Sequence, residues 1–287
     1  MDQDSSLIKV DLTKPATVLI EKISDAIGGL YRPFQIRRVA KAEAEAEIIR
    51  TEAEIECEEL HRRALARFVS EEAKKQDNIE SITRKAIPLL SDSSSPERME
   101  DDWITNFFDK CRIISDEEMQ ILWSKVLAGE ANCPGSFSKR TVNSLGSLDK
   151  MDAQLFTSLC GFMWRIGDMI PLILDPQASI YTERGLNFAA LSHMDDVDLI
   201  SFEPLAGFVK QNAPRAIIVE YWGSLLKIEF EKPDGNELQV GHAMFTRIGQ
   251  QLASICGAGP VDGFCAYVIE QWAKKGLTLS SPLQRKK

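Results

Sequence analysis

The segment Lys41-Ala-Glu-Ala-Glu-Ala-Glu-Ile-Ile-Arg-Thr-Glu-Ala-Glu-Ile-Glu-Cys-Glu-Glu-Leu60-His-Arg-Arg-Ala64 lies inside a run of 54 residues, 34 to 87, with no Gly and no Pro. It repeats with a period of eleven: Ala42, Ala53 and Ala64 mark one position, Ala46 and Cys57 a second, Ile49 and Leu60 a third. Eleven residues over three turns is about 3.67 per turn, close to a relaxed α-helix, so the apolar stripe winds only slightly round the axis. Acids and bases alternate on the remaining surface, with Glu58 and Glu59 four residues ahead of Arg62 and Arg63. Each such pair adds a few tenths of a kcal/mol to a helix. The pattern predicts a helix from Phe34 to about Lys75, roughly 60 Å long at 1.5 Å per residue. A rod of that length cannot cover its own stripe, so it needs a partner. Ala46, Ile49, Ala53, Cys57, Leu60 and Ala64 are the expected assembly residues.

Upstream, residues 1–12 carry no periodic pattern and are expected to be disordered. Thr13-Lys14-Pro15 reads as a helix entry, since the missing N–H of Pro is harmless in the first turn. Leu19, Ile23, Ala26 and Leu30 then give one short amphipathic helix, closed by Gly28-Gly29 and Arg32-Pro33. Downstream, Asp77 with Glu80 reads as a capping box that starts a new helix over Asn78–Leu90. Ser91 to Pro96 is small, polar and closed by Pro, which is linker chemistry. Helices resume at Asp101, with Trp103, Ile104, Phe107, Phe108 and Cys111 on the inward face. Ser115 and Glu118 suggest the next start, and a helix expected to run to Ile166 begins at Asp149 or at Met151-Asp152.

The last third changes character. Ala216-Ile-Ile-Val-Glu-Tyr221 and Leu225-Leu-Lys-Ile-Glu-Phe230 are β-branched or alternating runs of the kind that form strands. Lys232-Pro-Asp-Gly-Asn236 is strong turn chemistry and predicts a hairpin from Phe230 back to Leu238–Val240. Helices are expected from Thr246, as cap, and over Val261–Lys275. The expected fold is therefore mainly α: a helical arm over 13–90 with one long N-terminal helix, a helical central domain over 97–175, and a small α+β winged-helix-like module over 176–279, before a disordered tail, 280–287.

A net charge of −9 argues against whole-protein attraction to nucleic acid or anionic lipid. No run approaches the roughly 20 apolar residues of a membrane span, and the start lacks the basic and apolar regions of a signal peptide. The six cysteines are scattered without a C-x-x-C pair, as expected of reduced thiols in a cytoplasmic protein.

Three ordered stretches carry a family likeness: Lys14-Pro-Ala16 with Leu30-Tyr-Arg-Pro-Phe-Gln-Ile-Arg-Arg38; Asp101-Asp-Trp-Ile104 with Ser115-Asp-Glu-Glu-Met-Gln120 and Leu122-Trp-Ser-Lys-Val-Leu-Ala-Gly-Glu130; and Pro134-Gly-Ser-Phe-Ser-Lys-Arg-Thr141 with Leu148 to Phe156. Over most of residues 13–255 the chain is similar to an uncharacterised bacterial domain-of-unknown-function family. Through the Trp123 helix and Phe245-Thr-Arg-Ile-Gly-Gln-Gln-Leu252 it also resembles, more distantly, the abortive-infection alpha proteins. The second resemblance implies a role in phage defence and brings no catalytic residue with it.

Reaction chemistry is sparse. His61, His193 and His242 stand far apart and off metal-ligand spacing, and neither H-E-x-x-H nor G-x-S-x-G occurs. Gly257-Ala-Gly-Pro-Val-Asp-Gly263 echoes a nucleotide loop, but Pro260 interrupts it and a helix precedes it. No catalytic, metal or cofactor residue is assigned. Ser138, Lys139, Arg140 and Thr141, two bases and two hydroxyls at a helix start, are a possible anion site. The expected function is a non-enzymatic assembly protein acting as a homo-oligomer or with a protein partner. The alternatives are a membrane-active effector using residues 15–31 and a nucleic-acid sensor. Nucleic acid is the less favoured ligand, because the hairpin tip Glu231-Lys-Pro-Asp-Gly-Asn-Glu237 is acidic.

Overall fold

The computed structural model describes residues 13–28 and 59–280. The chain divides into two compact units, Met1–Gly146 and Ser147–Lys287.

The first unit is helical where described. Helix α1, Lys14–Ile27, has Pro15 in its first turn and stops at Gly28, whose φ of 67° only glycine adopts without strain. It buries Ala16, Leu19 and Ile23 against α3, Asp101–Cys111, and Lys22 Nζ reaches Asp101 Oδ1 at 2.6 Å. Helix α2, Glu59–Ala86, runs 28 residues. The capping box at Asp77 does not interrupt it, because Gln76 Nε2 donates to Glu80 Oε1 at 3.0 Å across the expected break. Helix α4, Glu117–Asn132, lies along the second half of α2 and is capped by Asp116, which accepts from the Met119 N–H at 3.0 Å.

Polar side chains bind these helices together. Asn78 Nδ2 donates to Arg112 O at 2.9 Å, while Gln120 Oε1 accepts from Ser81 Oγ at 2.9 Å and Lys85 Nζ at 2.7 Å. Beneath them the five residues expected to face inward on α3 are all buried, with Trp103 stacked on Phe107 and Trp123 edge-on to the same ring at 5.1 Å. The Ser91–Pro96 segment is tied to the end of α4: Asn132 Oδ1 accepts from Ser91 N at 2.8 Å and Asn132 Nδ2 donates to Leu89 O at 3.0 Å. Helix α5, Lys139–Leu145, ends the unit.

The second unit corrects the expected fold class. It is built round a five-stranded antiparallel sheet and two two-stranded ribbons, so the molecule is not mainly α with a small winged-helix-like appendage. After α6, Lys150–Cys160, come strands β1, Met163–Ile166, and β2, Asp168–Pro171. The helix expected to reach Ile166 stops at Gly161, where a Cβ would lie 3.1 Å from Gly259 O. Beyond it Trp164 and Ile166 are buried and Arg165 is exposed, a two-residue alternation that only a strand satisfies. Short helices α7, Ser179–Thr182, and α8, Phe188–Asp196, lead to β3, Ile200–Phe202, and β4, Phe208–Ala213.

Strands β5, Ala216–Tyr221, and β6, Ser224–Glu229, fall where the alternating runs predict. Their pairing does not. They form a hairpin with each other through Trp222-Gly223, at φ 45° and 85°, a turn whose twist suits adjacent strands. The turn at 232–236 instead sends β7, Asn236–Gly241, to β4. Buried Asn236 fixes that exit by donating to Ala213 O at 3.1 Å and Lys232 O at 3.0 Å. Strand β8, Ala243–Phe245, pairs with β3; α9, Arg247–Ala253, α10, Phe264–Lys274, and β9, Thr278–Ser280, complete the unit, and the main sheet reads β2-β1-β5-β6-β9.

Its core is aromatic. Trp164 stacks on Tyr221 at 5.1 Å, meets Trp272 edge-on at 5.3 Å, and Phe264 packs on Tyr221, Phe162 and Tyr181. Such pairs add about 0.5–1.5 kcal/mol each beyond area burial. Tyr221 Oη also ties two loops, donating to Gly161 O at 2.9 Å and accepting from Val261 N at 2.7 Å.

Candidate functional site

The described first half of α2 carries exposed apolar side chains. Its buried residues begin only at Asn78, while Leu60 and Phe68 remain 61% and 59% exposed, and Ala64 and Leu65 are exposed beside them. Among the described residues, Glu59 to Asp77, nineteen residues and about 28 Å of helix, form an arm with no fully buried side chain. The exposed stripe is the continuation of the buried face. Leu60 and Ala64 lie twenty-two residues, two repeats, before Ile82 and Ala86, and Phe68 lies one repeat of eleven before Ile79. One helix face is thus packed at one end and bare at the other. Of the expected assembly residues, Leu60 and Ala64 stand on this bare face; Ala46, Ile49, Ala53 and Cys57 lie outside the described residues.

The motif stretches of the first unit turn out to hold a turn in place. Phe137 is gripped three ways: its ring lies where a Cβ on Gly129 would come within 2.6 Å, its N–H donates to Glu130 Oε2 at 2.8 Å, and its carbonyl accepts from Trp103 Nε1 at 2.7 Å. Glu130 Oε1 also accepts from Gly135 N at 2.7 Å. Burial pushes the Glu130 carboxyl above its ordinary range, and the backbone donors oppose that shift. Leu122-Trp-Ser-Lys-Val-Leu-Ala-Gly-Glu130 offered helix periodicity, but nothing in it signalled that its last carboxylate reaches forward to a turn.

Ser138, Lys139, Arg140 and Thr141 come together as the first turn of α5. Ser138 Oγ caps it by accepting from Thr141 N at 3.2 Å, its hydroxyl lies 2.9 Å from that of buried Thr141, and Lys139 Nζ stands 3.5 Å from Asp102 Oδ2. The two hydroxyls are occupied in capping.

In the second unit, Phe245-Thr-Arg-Ile-Gly-Gln-Gln-Leu252 docks α9. Thr246 Oγ1 accepts from Gly249 N at 3.0 Å and donates to Asp198 O at 2.6 Å, and a Cβ on Gly249 would fall 1.9 Å from Leu199 O. A shallow cleft of about 230 Å3 opens between the β3–β4 loop and the end of α10, lined by Leu205, Gly207, Gln239, His242 and Lys275. His242 Nδ1 donates to Glu203 O at 2.8 Å, and Lys275 Nζ donates to Gln239 Oε1.

His193 Nε2 lies 2.6 Å from Asp152 Oδ1, and Asp152 Oδ2 accepts from Asp149 N at 3.0 Å in a full capping box. The bond to Asp152, with Asp196 and Asp149 nearby, raises the His193 pKa. Cys160 is buried beside Cys256, and burial holds its thiol well above the ordinary range, which suppresses thiolate chemistry. Among the described residues no three His, Cys, Asp or Glu side chains are grouped to hold a metal ion, and no helix is long and apolar enough to cross a membrane.

These features define a two-unit protein, one helical where described and one α+β, in which the Glu130–Phe137 and Phe245–Leu252 stretches hold backbone in place. The family model for the protein of unknown function DUF2806 matches residues 62–269, and the chain belongs to that family. No curated protein and no solved structure matches it.

Proposed function

We propose that this chain is a non-enzymatic assembly protein that joins a second copy of itself through the arm of α2. The observation that carries the reading is the bare continuation of a packed helix face: Leu60, Ala64, Leu65 and Phe68 exposed in line with buried Ile79, Ile82 and Ala86. Fully burying a Leu or Phe side chain stabilises by about 1.5–3 kcal/mol, so two such residues left in water favour whatever covers them. The resemblance in the Trp123 helix and in Phe245–Leu252 adds the finer part of the proposal, that the assembly serves bacterial phage defence from the cytoplasm.

Light scattering on the full chain over a concentration range tests the reading. The expected outcome is a mass above one chain that falls to one chain in Leu60→Asp/Phe68→Asp, with far-UV circular dichroism retained because both positions are exposed. A wild-type protein that stays at one-chain mass throughout would remove the proposal.

A further inference from the structure

We infer that Cys160 and Cys256 form a reversible disulfide, an oxidation-sensitive clasp that ties the end of α6 to the chain beyond α9. Both are thiols in this structure, and both lie in the α+β unit. Cys160 is the last residue of α6 and is fully buried; Cys256 is half-buried, close to exposed Ser254 and Gly257. The Cys160 thiol donates a hydrogen bond to the Cys256 sulfur, and Cys256 Sγ donates in turn to Ala253 O at 3.4 Å.

The chain on either side holds this contact together. A Cβ on Gly161 would lie 3.1 Å from Gly259 O and 3.0 Å from Val261 Cγ2, and Tyr221 Oη bridges Gly161 O and Val261 N. Ahead of the two cysteines, Phe156 of α6 meets Phe245, just before α9, edge-on at 5.7 Å. Tertiary structure alone brings the two sulfurs together, since strands β1 to β8 all lie between them in sequence. A disulfide sets its sulfurs about 2.05 Å apart, and thiols already in hydrogen-bond contact close that gap by side-chain rotation.

The bond forms in two exchange steps, with a small disulfide of the oxidised-glutathione type as oxidant. The Cys256 thiolate, on the accessible side, attacks one glutathione sulfur; the S–S bond breaks and one glutathione leaves as thiolate. Cys160 then attacks the Cys256 sulfur of the mixed disulfide and expels the second glutathione, which takes up the Cys160 proton. Two protein thiols are oxidised, and one disulfide is reduced to two thiols. Burial keeps Cys160 protonated, so it is poorly suited to meet the oxidant first; contact with Cys256 supplies by proximity what its acidity lacks. The closed loop runs from Gly161 to Ile255, and closing a long loop restricts the unfolded chain strongly.

The test exposes the reduced full-length protein to oxidised glutathione at pH 8, quenches with acid and digests without reductant. The peptides carrying Cys160 and Cys256 are expected joined, two hydrogens below their summed mass. The melting temperature should rise by about 5–10 °C and return with dithiothreitol. Cys256→Ser, at the half-buried position, should abolish the link and the rise; Cys160→Ala should leave Cys256 as its glutathione adduct. Wild-type Cys256 that stops at that adduct, or bonds to another cysteine, would overturn the pairing. So would two unreacted thiols in a sample whose exposed Cys133 has been modified, because the oxidant then reached the protein. A link that forms without raising the melting temperature would overturn its role as a clasp.

Discussion

The two units bury polar groups for different ends. In the helical unit, buried Asn78, Gln120 and Glu130 reach across sequence to backbone and side chains of neighbouring helices and turns, so polarity holds packed rods in register. In the α+β unit, close backbone approach has that role: Gly249 admits Leu199, and a Cβ on Gly241 would come within 2.3 Å of Ile173 O. Both units use both devices, since Gly129 admits the Phe137 ring and buried Asn236 ties Ala213 and Lys232. Among the described residues, however, the glycines whose Cβ would fall within 3 Å of another backbone atom, Gly207, Gly241 and Gly249, are all in the α+β unit. A substitution that adds an atom should therefore damage the second unit most, and one that removes an acceptor should damage the first.

Gly249→Ala is the sharpest way to break that contrast. The new methyl would overlap a carbonyl that cannot rotate away, so the expected loss is about 3 kcal/mol, at the upper end of overpacking effects. Hydrogen exchange followed peptide by peptide should quicken over 147–280 and leave 78–146 unchanged. Unchanged exchange in both units would refute the close approach of α9 to Leu199.

Glu130→Gln tests the other side. It replaces an acceptor by an amide N–H2 facing an N–H donor, at Gly135 or at Phe137, and leaves one of them unpaired. The expected cost is about 1–3 kcal/mol, seen as faster exchange over 91–146 with 147–280 untouched. Equal effects in both units would end the distinction drawn here.

Much of the helical unit was legible because its signals are local. Trp103, Ile104, Phe107, Phe108 and Cys111 follow helix spacing and are buried together, although the next helix is capped by Asp116 and not by Ser115; in the α+β unit Thr246 caps the helix it was expected to cap. The break expected at Asp77 fails because the Asp-x-x-Glu pattern also fits a helix interior, where Glu80 pairs with Gln76 instead of the Asp77 N–H, and the buried face of Asn78, Ile79 and Ile82 holds the helix through it. The α+β unit was legible in its strands and not in their partners. Trp222-Gly223 lacks the Asn-Gly or Asp-Gly signature of a two-residue turn, so the stronger turn at 232–236 drew the hairpin to the wrong place. Helix α6 looked longer than it is because Phe156, Leu159, Met163 and Ile166 continue three- and four-residue spacing past its end. On the candidate surface, Leu60 and Ala64 are readable from the repeat; Phe68 belongs to the same repeat, eleven residues after Cys57, but a bulky ring among Ala and Cys positions hides the period.

The smallest effect concerns pH. A His pKa raised in the folded state contributes stability that is fully present below the unfolded value near 6.5 and lost as pH rises through the folded value. His193→Gln should therefore lower the melting temperature slightly at pH 5.5 and leave it unchanged at pH 9. A difference that is larger at pH 9 would show that Asp152 does not hold the imidazolium. His193 is exposed and Asp152 keeps its bond from the Asp149 N–H whatever the imidazole does, so the α+β unit should keep its fold in either protonation state.

The edge-on contact of Trp164 with Trp272 also has an optical consequence. Two indoles at 5.3 Å exchange excitation, and their coupled transitions sit in a rigid, chiral setting with Tyr221 stacked against one of them. The near-ultraviolet dichroism of this protein should thus be weighted toward the α+β unit, which then reports its own melting without a label while the helical unit is followed in the far ultraviolet.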